Sequence, residues 1–306
     1  MKKSKSELLK IISFLLFIVL ADKFTGGILK NLYQASTDFT ISKIRYTLYQ
    51  TKEDILIFGS SRAQHHYNPD TISKLTGYET YNCGLGGQFL TFSLIQISET
   101  LKRYKPQLII LDLYPDMLLQ KHFDQKLKIL EPYYKNDTLI REILNQSSGF
   151  ERLKHISSIY PYNSQLYPLL LSLVYSPDIG IKGYIPVYGI IDTSLSVNQE
   201  AGEIHEIADK QMINLCQISN ICQENKVALW IVVSPVYKKT KEDFQIIRDI
   251  GVYAKEHDVH FTDFSENPFF SDHFLFKDNL HLNSDGANIY SRIVGDSILQ
   301  LTRKIL

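Results

Sequence analysis

The chain has 306 residues, with 33 lysines plus arginines against 33 aspartates plus glutamates. That length fits one large α/β domain or two small ones, and the balanced charge excludes a general affinity for nucleic acid or an acidic polymer. Three cysteines, Cys83, Cys216 and Cys222, make no disulfide framework, and no residues have the spacing of a metal site. No cofactor is implied.

The chain opens MKKSKSELLKIISFLLFIVLADKF. Lysines at 2, 3, 5 and 10 precede an apolar run from Ile11 to Ala21. That order favours a cytoplasmic amino terminus and export of the residues beyond the run. Two readings stay open. Val19-Leu20-Ala21 suits the cleavage site of a secretory signal, or residues 1–29 stay as a membrane anchor lengthened by Leu8, Leu9, Phe24, Ile28 and Leu29. The anchor is the expectation here, with the rest of the chain outside the cytoplasm, although the strict apolar core is short of the ~20 residues of a span.

Residues 30–53 read as a helical connector. Beyond them, DILIFG (54–59), YETYNCG (78–84), QLIILDL (107–113), KVALWIVVSP (226–235) and DVHFTDF (258–264) read as strands. Between and after these, Pro69–Leu75, Phe89–Tyr104, Glu203–Asn225, Lys241–Glu256 and Asp285–Thr302 read as helices. In the third of these, Ile207, Met212, Leu215, Cys216, Ile218 and Ile221 form one apolar stripe, and Cys216 and Cys222 point to different faces. Continuous apolar strands separated by helices predict a parallel sheet covered on both faces, a doubly wound three-layer α/β domain over 54–306. Regularity breaks at about 114–199, where EPYYKND, SSIYPYNSQLYPLLLSLVYSP and IKGYIPVYG are rich in tyrosine. A partly helical insertion is predicted there, placed to cover the crevice at the strand ends. Its aromatic rings suit sugar stacking or a satellite core equally.

ILIFGSSRAQHH (55–66) leaves the first strand through Gly59 into two serines. Ser61 is either a nucleophile at the strand's carboxyl end or part of an ordinary helix cap. Near the other end of the chain, DNLHLNSDGA places Asp278 three residues before His281. That spacing lets a carboxylate fix the imidazole tautomer, while the other ring nitrogen takes a proton from a hydroxyl. His65 and His66 read as solvent-facing residues of a first helical turn, with site lining or metal binding as the alternative.

FGSSR, YNCGLGGQ and DNLHLNSDGA, in that order, resemble the first, second and fifth sequence blocks of the SGNH/GDSL hydrolase superfamily. The resemblance spans about 54–302 apart from the insertion, and leans toward envelope-anchored O-acetyltransferases and esterases. It implies a flavodoxin-like fold with a central five-stranded parallel sheet, and serine acyl-ester chemistry by Ser61, Asp278 and His281. It also implies an oxyanion hole from the N–H groups of Ser61 and Gly87, with Gly86 as competitor and Asn82 in the second block. The third block is not matched. Where the family carries Gly-x-Asn-Asp, this chain has LDLYPD, and Arg62 is a candidate replacement donor. Ionised Asp112 would repel an oxyanion and cannot serve.

The resemblance thus implies an extracytoplasmic ester hydrolase or O-acyltransferase acting on an acyl, chiefly acetyl, ester of an envelope carbohydrate. The alternatives are a catalytically inactive glycan-binding or assembly component on the same scaffold and, third, an enzyme for phospholipid or thioester substrates.

Overall fold

Strands apolar on both faces need cover on both faces, and helices after each strand supply it. A computed structural model of the chain describes residues 2–119, 126–147, 149–175, 180–193 and 208–305. In chain order its first elements are α1 (Lys2–Ala35), α2 (Phe39–Tyr49), β1 (Ile55–Phe58), α3 (Ser61–His66), α4 (Pro69–Thr76), β2 (Thr80–Asn82), α5 (Leu90–Arg103) and β3 (Leu108–Asp112). Then come α6 (Thr138–Ser147), α7 (Glu151–Lys154), α8 (Leu166–Leu171), α9 (Asp209–Glu224), β4 (Ala228–Val233), α10 (Lys241–Glu256), β5 (His260–Asp263) and α11 (Ser284–Ile305).

All five predicted strands form, each trimmed at its ends, and make one parallel sheet in the order β2-β1-β3-β4-β5. This is the flavodoxin-like order, which reverses direction between β1 and β3, the point where such sheets hold ligands beyond their carboxyl ends. Side-chain alternation sorts the core into two layers. Leu56, Phe58, Ile109, Leu111, Leu229 and Ile231 pack with residues of α5, α9 and α10. Ile55, Ile57, Ile110, Trp230 and Val232 pack with residues of α4 and α11. Each fully buried aliphatic or aromatic side chain contributes about 1.5–3 kcal/mol of transfer free energy. Of the helix predicted over Glu203–Asn225, the part before residue 208 lies outside the described residues.

The chain divides into two compact units, residues 1–42 with 122–177 and residues 43–121 with 178–306. The second holds the whole sheet. The first holds the whole of α1 and the helices α6, α7 and α8 from the tyrosine-rich stretch; 120–125, 148, 176–179 and 194–199 of that stretch lie outside the described residues.

The amino-terminal membrane span is a correction. Among the described residues no helix is long and apolar enough to cross a membrane. The apolar run Ile11–Ala21 rises only ~16 Å at ~1.5 Å per residue, against a hydrocarbon core of ~30 Å. The two residues immediately after the run are bonded to protein. Asp22 accepts from the Ser157 hydroxyl and from the N–H groups of Ser158 and Ile159, and Lys23 donates to the carbonyl of Ile156 and to Ser158 Oγ. α1 continues through Tyr33, whose hydroxyl bonds that of Tyr133 at 3.2 Å.

Candidate active site

Gly59 ends β1 with φ +143°, and a Cβ there would lie 2.7 Å from the carbonyl oxygen of Asp112 and 2.9 Å from Ala63 Cβ. Only glycine fits this turn. Ser60 comes next, at the N-cap position of α3, but makes no side-chain cap bond. The capping explanation therefore fails for this serine pair. Ser61 opens α3, and its Oγ lies 2.8 Å from His281 Nε2.

His281 comes from a tight loop between Phe276 and Leu282, which form a bridge, with the Lys277 N–H donating to the His281 carbonyl at 2.8 Å. Asp278 Oδ1 accepts the N–H groups of Leu280 (2.8 Å) and His281 (2.9 Å), so the carboxylate is clamped by its own loop. Both carboxylate oxygens lie 3.0 Å from His281 Nδ1. Ionised, the carboxylate can only accept, so the proton sits on Nδ1 and the Nε2 lone pair faces the serine hydroxyl. Burial raises the Asp278 carboxyl, but the bonds from the His281 ring and the loop N–H groups outweigh it and leave the pKa below the usual carboxylate value. The structure brings Ser61, His281 and Asp278 into one hydrogen-bonded line.

The remaining residues of α3 fix that line in place. His65 and His66 do not face solvent as expected, because the helix is inserted between two loops. His66 is fully buried. Its Nε2 accepts the Leu282 N–H at 3.0 Å, leaving Nδ1–H to donate to Ser234 Oγ at 2.9 Å. Burial, with the nearby Arg62 charge, pushes this imidazole well below the ordinary histidine range. α3 therefore grips the histidine loop twice, by Ser61 on the His281 ring and by His66 on the next residue's backbone. His65 Nδ1 donates to the Ile185 carbonyl at 2.8 Å, and its ring stands edge-on to His281 at 5.8 Å.

Arg62 corrects another expectation. It is 2% exposed, and its guanidinium lies over the Tyr114 ring at 4.3 Å and donates to the carbonyl and hydroxyl of Ser234. Its Nε lies 3.6 Å from Asp112 Oδ1, and Asp112 Oδ2 accepts from the Tyr67 hydroxyl at 2.6 Å. Arg62 thus holds the sheet end together and is no oxyanion donor. Asn82 is likewise spent inside: its Nδ2 donates to the carbonyls of Ala63 and Tyr67, and its Oδ1 accepts from the Gly84 N–H. It shapes the second-block loop without lining the site.

That loop runs beside Ser61. The Gly86 N–H donates to Gln64 Oε1 at 2.6 Å, so Gly86 is no free oxyanion donor. The N–H groups of Ser61 and Gly87 have no hydrogen-bond partner among the described residues, and Gly87 has φ +73°. Buried Lys43 donates to the carbonyls of Gly84 and Gly183, and burial pushes its ammonium down to about 7.

The sequence reading missed Gln64, Ser234, Lys43 and a strap at 182–191. The Ile185 N–H donates to the Gln64 carbonyl at 3.1 Å, and the Ser284 N–H donates to the Val187 carbonyl at 2.7 Å. The strap is thereby bonded to both the serine helix and the histidine loop. Its signal lay in IKGYIPVYG, where Gly183 and Gly189 take positive φ, but those glycines were read as part of the tyrosine-rich insertion.

A serine at the end of β1, a glycine loop after β2 and an Asp-x-x-His turn ahead of the last helix surround one rim of a 2-1-3-4-5 parallel sheet. The likeness is to the SGNH/GDSL hydrolases. No protein-family model matches the chain, and neither does any curated protein. Among solved structures, a GDSL-like lipase from Bacteroides thetaiotaomicron is 14% identical, with 86% of this chain and 98% of that one covered, at TM-score 0.42. A variant of an acetyl-xylooligosaccharide esterase from Geobacillus is 11% identical, covering 80% of this chain and 93% of that one at TM-score 0.38. A two-domain esterase active on acetylated mannans is 11% identical, covering 86% of this chain and 54% of that one at TM-score 0.37. Identities and TM-scores this low carry no weight for the chemistry of this chain, which rests on its own side chains.

Proposed function

We propose that the chain is a serine enzyme of the SGNH/GDSL superfamily that cleaves or transfers an acyl group, acetyl in the simplest case, on a carbohydrate ester. One observation carries the proposal: Ser61 Oγ, His281 and Asp278 form a continuous hydrogen-bonded line with the tautomer that a general base needs. As Oγ attacks the ester carbonyl, His281 Nε2 takes the hydroxyl proton and Asp278 stabilises the imidazolium. The carbonyl π pair moves onto oxygen, where the N–H groups of Ser61 and Gly87 receive it. Collapse breaks the bond to the alcohol, His281 returns the proton to the leaving oxygen, and Ser61 keeps the acyl group. Water then releases it, or a sugar hydroxyl accepts it.

The carbohydrate part of the proposal is supported by the sequence-block pattern of envelope O-acetyltransferases and esterases, and by Tyr188. That residue, 71% exposed on the strap, offers an aromatic face to a sugar. Read as a secretory signal, which needs no span, the lysine-led apolar amino terminus supports a site outside the cytoplasm. Incubation with an acetylated polysaccharide and a small acyl ester donor tests the function. Free acetate made by wild type and lost in Ser61→Ala supports an esterase, and newly acylated glycan supports a transferase. A folded wild-type chain that does neither favours the glycan-binding alternative.

A further inference from the structure

We infer that Gln64 is the side-chain oxyanion donor of this site, through its Nε2–H, in place of the asparagine that the third sequence block lacks. The inference rests on the serine-enzyme reading above, since the oxyanion exists only if Ser61 attacks a carbonyl.

Three other side chains near the rim are excluded by their bonds. Asp112 is fully buried and accepts from Tyr67, Arg62 is turned to Ser234, and Asn82 Nδ2 is spent on two carbonyls. Gln64 differs. It stands three residues after Ser61 on α3, the spacing that puts two side chains on one helix face. Its Oε1 accepts the Gly86 N–H at 2.6 Å. An N–H can only meet the amide's oxygen, so this bond fixes which end of the amide is which and directs Nε2 elsewhere. A Cβ built at Gly86 would lie 3.0 Å from Gln64 Oε1 and 3.7 Å from Ser61 Cβ, so the amide, the glycine and the nucleophile border one small space. A side chain at 86 would press on the amide.

Gln64 is only 6% exposed, yet its Nε2 has no protein partner among the described residues and is not sealed from solvent. A nearly buried amide thus has its carbonyl committed to a glycine that borders Ser61, and its two N–H donors without a protein partner among the described residues. When Ser61 Oγ bonds the ester carbon and the π pair moves to oxygen, one Nε2–H donates to that oxygen, alongside the N–H groups of Ser61 and Gly87. The group is preorganised because Gly86 holds it before substrate arrives.

The test uses Gln64→Met, which keeps volume but has no hydrogen-bonding N–H, and Gln64→Glu, which keeps an acceptor for the Gly86 N–H but has no donor. Both should lower kcat on p-nitrophenyl acetate by about 10²–10³-fold with KM within about threefold of wild type. A boronic acid inhibitor forms an anionic tetrahedral adduct on the serine, so its affinity should fall in proportion to kcat/KM across the set. Gln64→Met staying within about threefold of wild-type kcat and boronate affinity overturns the inference, whatever Gln64→Glu does, because an ionised Glu would itself repel the oxyanion. Ser61→Ala separates the two readings. If it retains turnover, the serine-enzyme reading fails. If it is silent while Gln64→Met keeps near wild-type kcat, only the inference about Gln64 fails.

Discussion

β1 and β3 are neighbouring parallel strands, and Phe58 pairs with Leu111 at their carboxyl ends. Beyond that shared edge the chain uses two polar side chains in opposite ways. After β1, Ser61 stands at the rim and meets an imidazole from a loop more than two hundred residues away in sequence. At the end of β3, Asp112 turns inward to Tyr67 and the Arg62 guanidinium. One end therefore presents a hydroxyl for chemistry, and the other is consumed in holding the rim together. The contrast explains how the chain keeps the serine and histidine blocks while abandoning the third: Asp112 now pairs with an arginine from the serine helix, and an oxyanion donor has to come from elsewhere.

The comparison can be broken by experiment. The largest effect is expected at the β1 end, where Ser61→Ala should lower ester turnover by about 10⁴–10⁶-fold with the melting temperature little changed. Asp278→Asn should come next at about 10⁴-fold in kcat near neutral pH, because the amide no longer enforces the Nδ1–H tautomer. Measured turnover near wild type in either variant would remove the chemical role assigned to this rim. At the β3 end the effect should fall on stability. Asp112→Ala leaves Arg62 charged, buried and without its carboxylate, and should cost about 3–5 kcal/mol in denaturant unfolding. Its kcat per folded molecule should drop far less than that of Ser61→Ala. Unchanged stability with abolished turnover would reverse the assignment of the two ends.

The smallest effect is a pH dependence. The His66 imidazole is held neutral by burial, well below the ordinary value of 6.5. Below that pH the unfolded chain binds a proton that the folded chain refuses, so folding stability falls as the solution is acidified. His66→Gln removes this contribution, and its stability should decline less steeply than wild type below pH 6.5. Equal slopes for the two proteins would contradict a neutral buried His66.

Much of this was legible in the sequence for a physical reason. The three central strands, β1, β3 and β4, are built from largely apolar runs, and Asp278 and His281 lie within one short loop whose own N–H groups fix the carboxylate. What was illegible depends on contacts between distant segments. α3 has six residues, too few to show which face is buried, so the inward turn of Arg62 and the burial of His66 left no periodic trace. The bond between Gln64 and Gly86 spans twenty-two positions, and the strap reaches the serine helix from more than a hundred away. The amino-terminal run was read too generously because nothing local shows that Asp22 is bonded to residues 157–159.

The central claim is that the oxygen of Ser61, and no other hydroxyl, is activated by His281. The most direct measurement is mass spectrometry of peptides after treatment of the folded chain with a fluorophosphonate. The account predicts a single phosphonyl adduct fragmenting to Ser61, absent from Ser61→Ala and His281→Ala. An adduct on Ser60, one that persists in Ser61→Ala, or no adduct on the folded wild-type chain would contradict it.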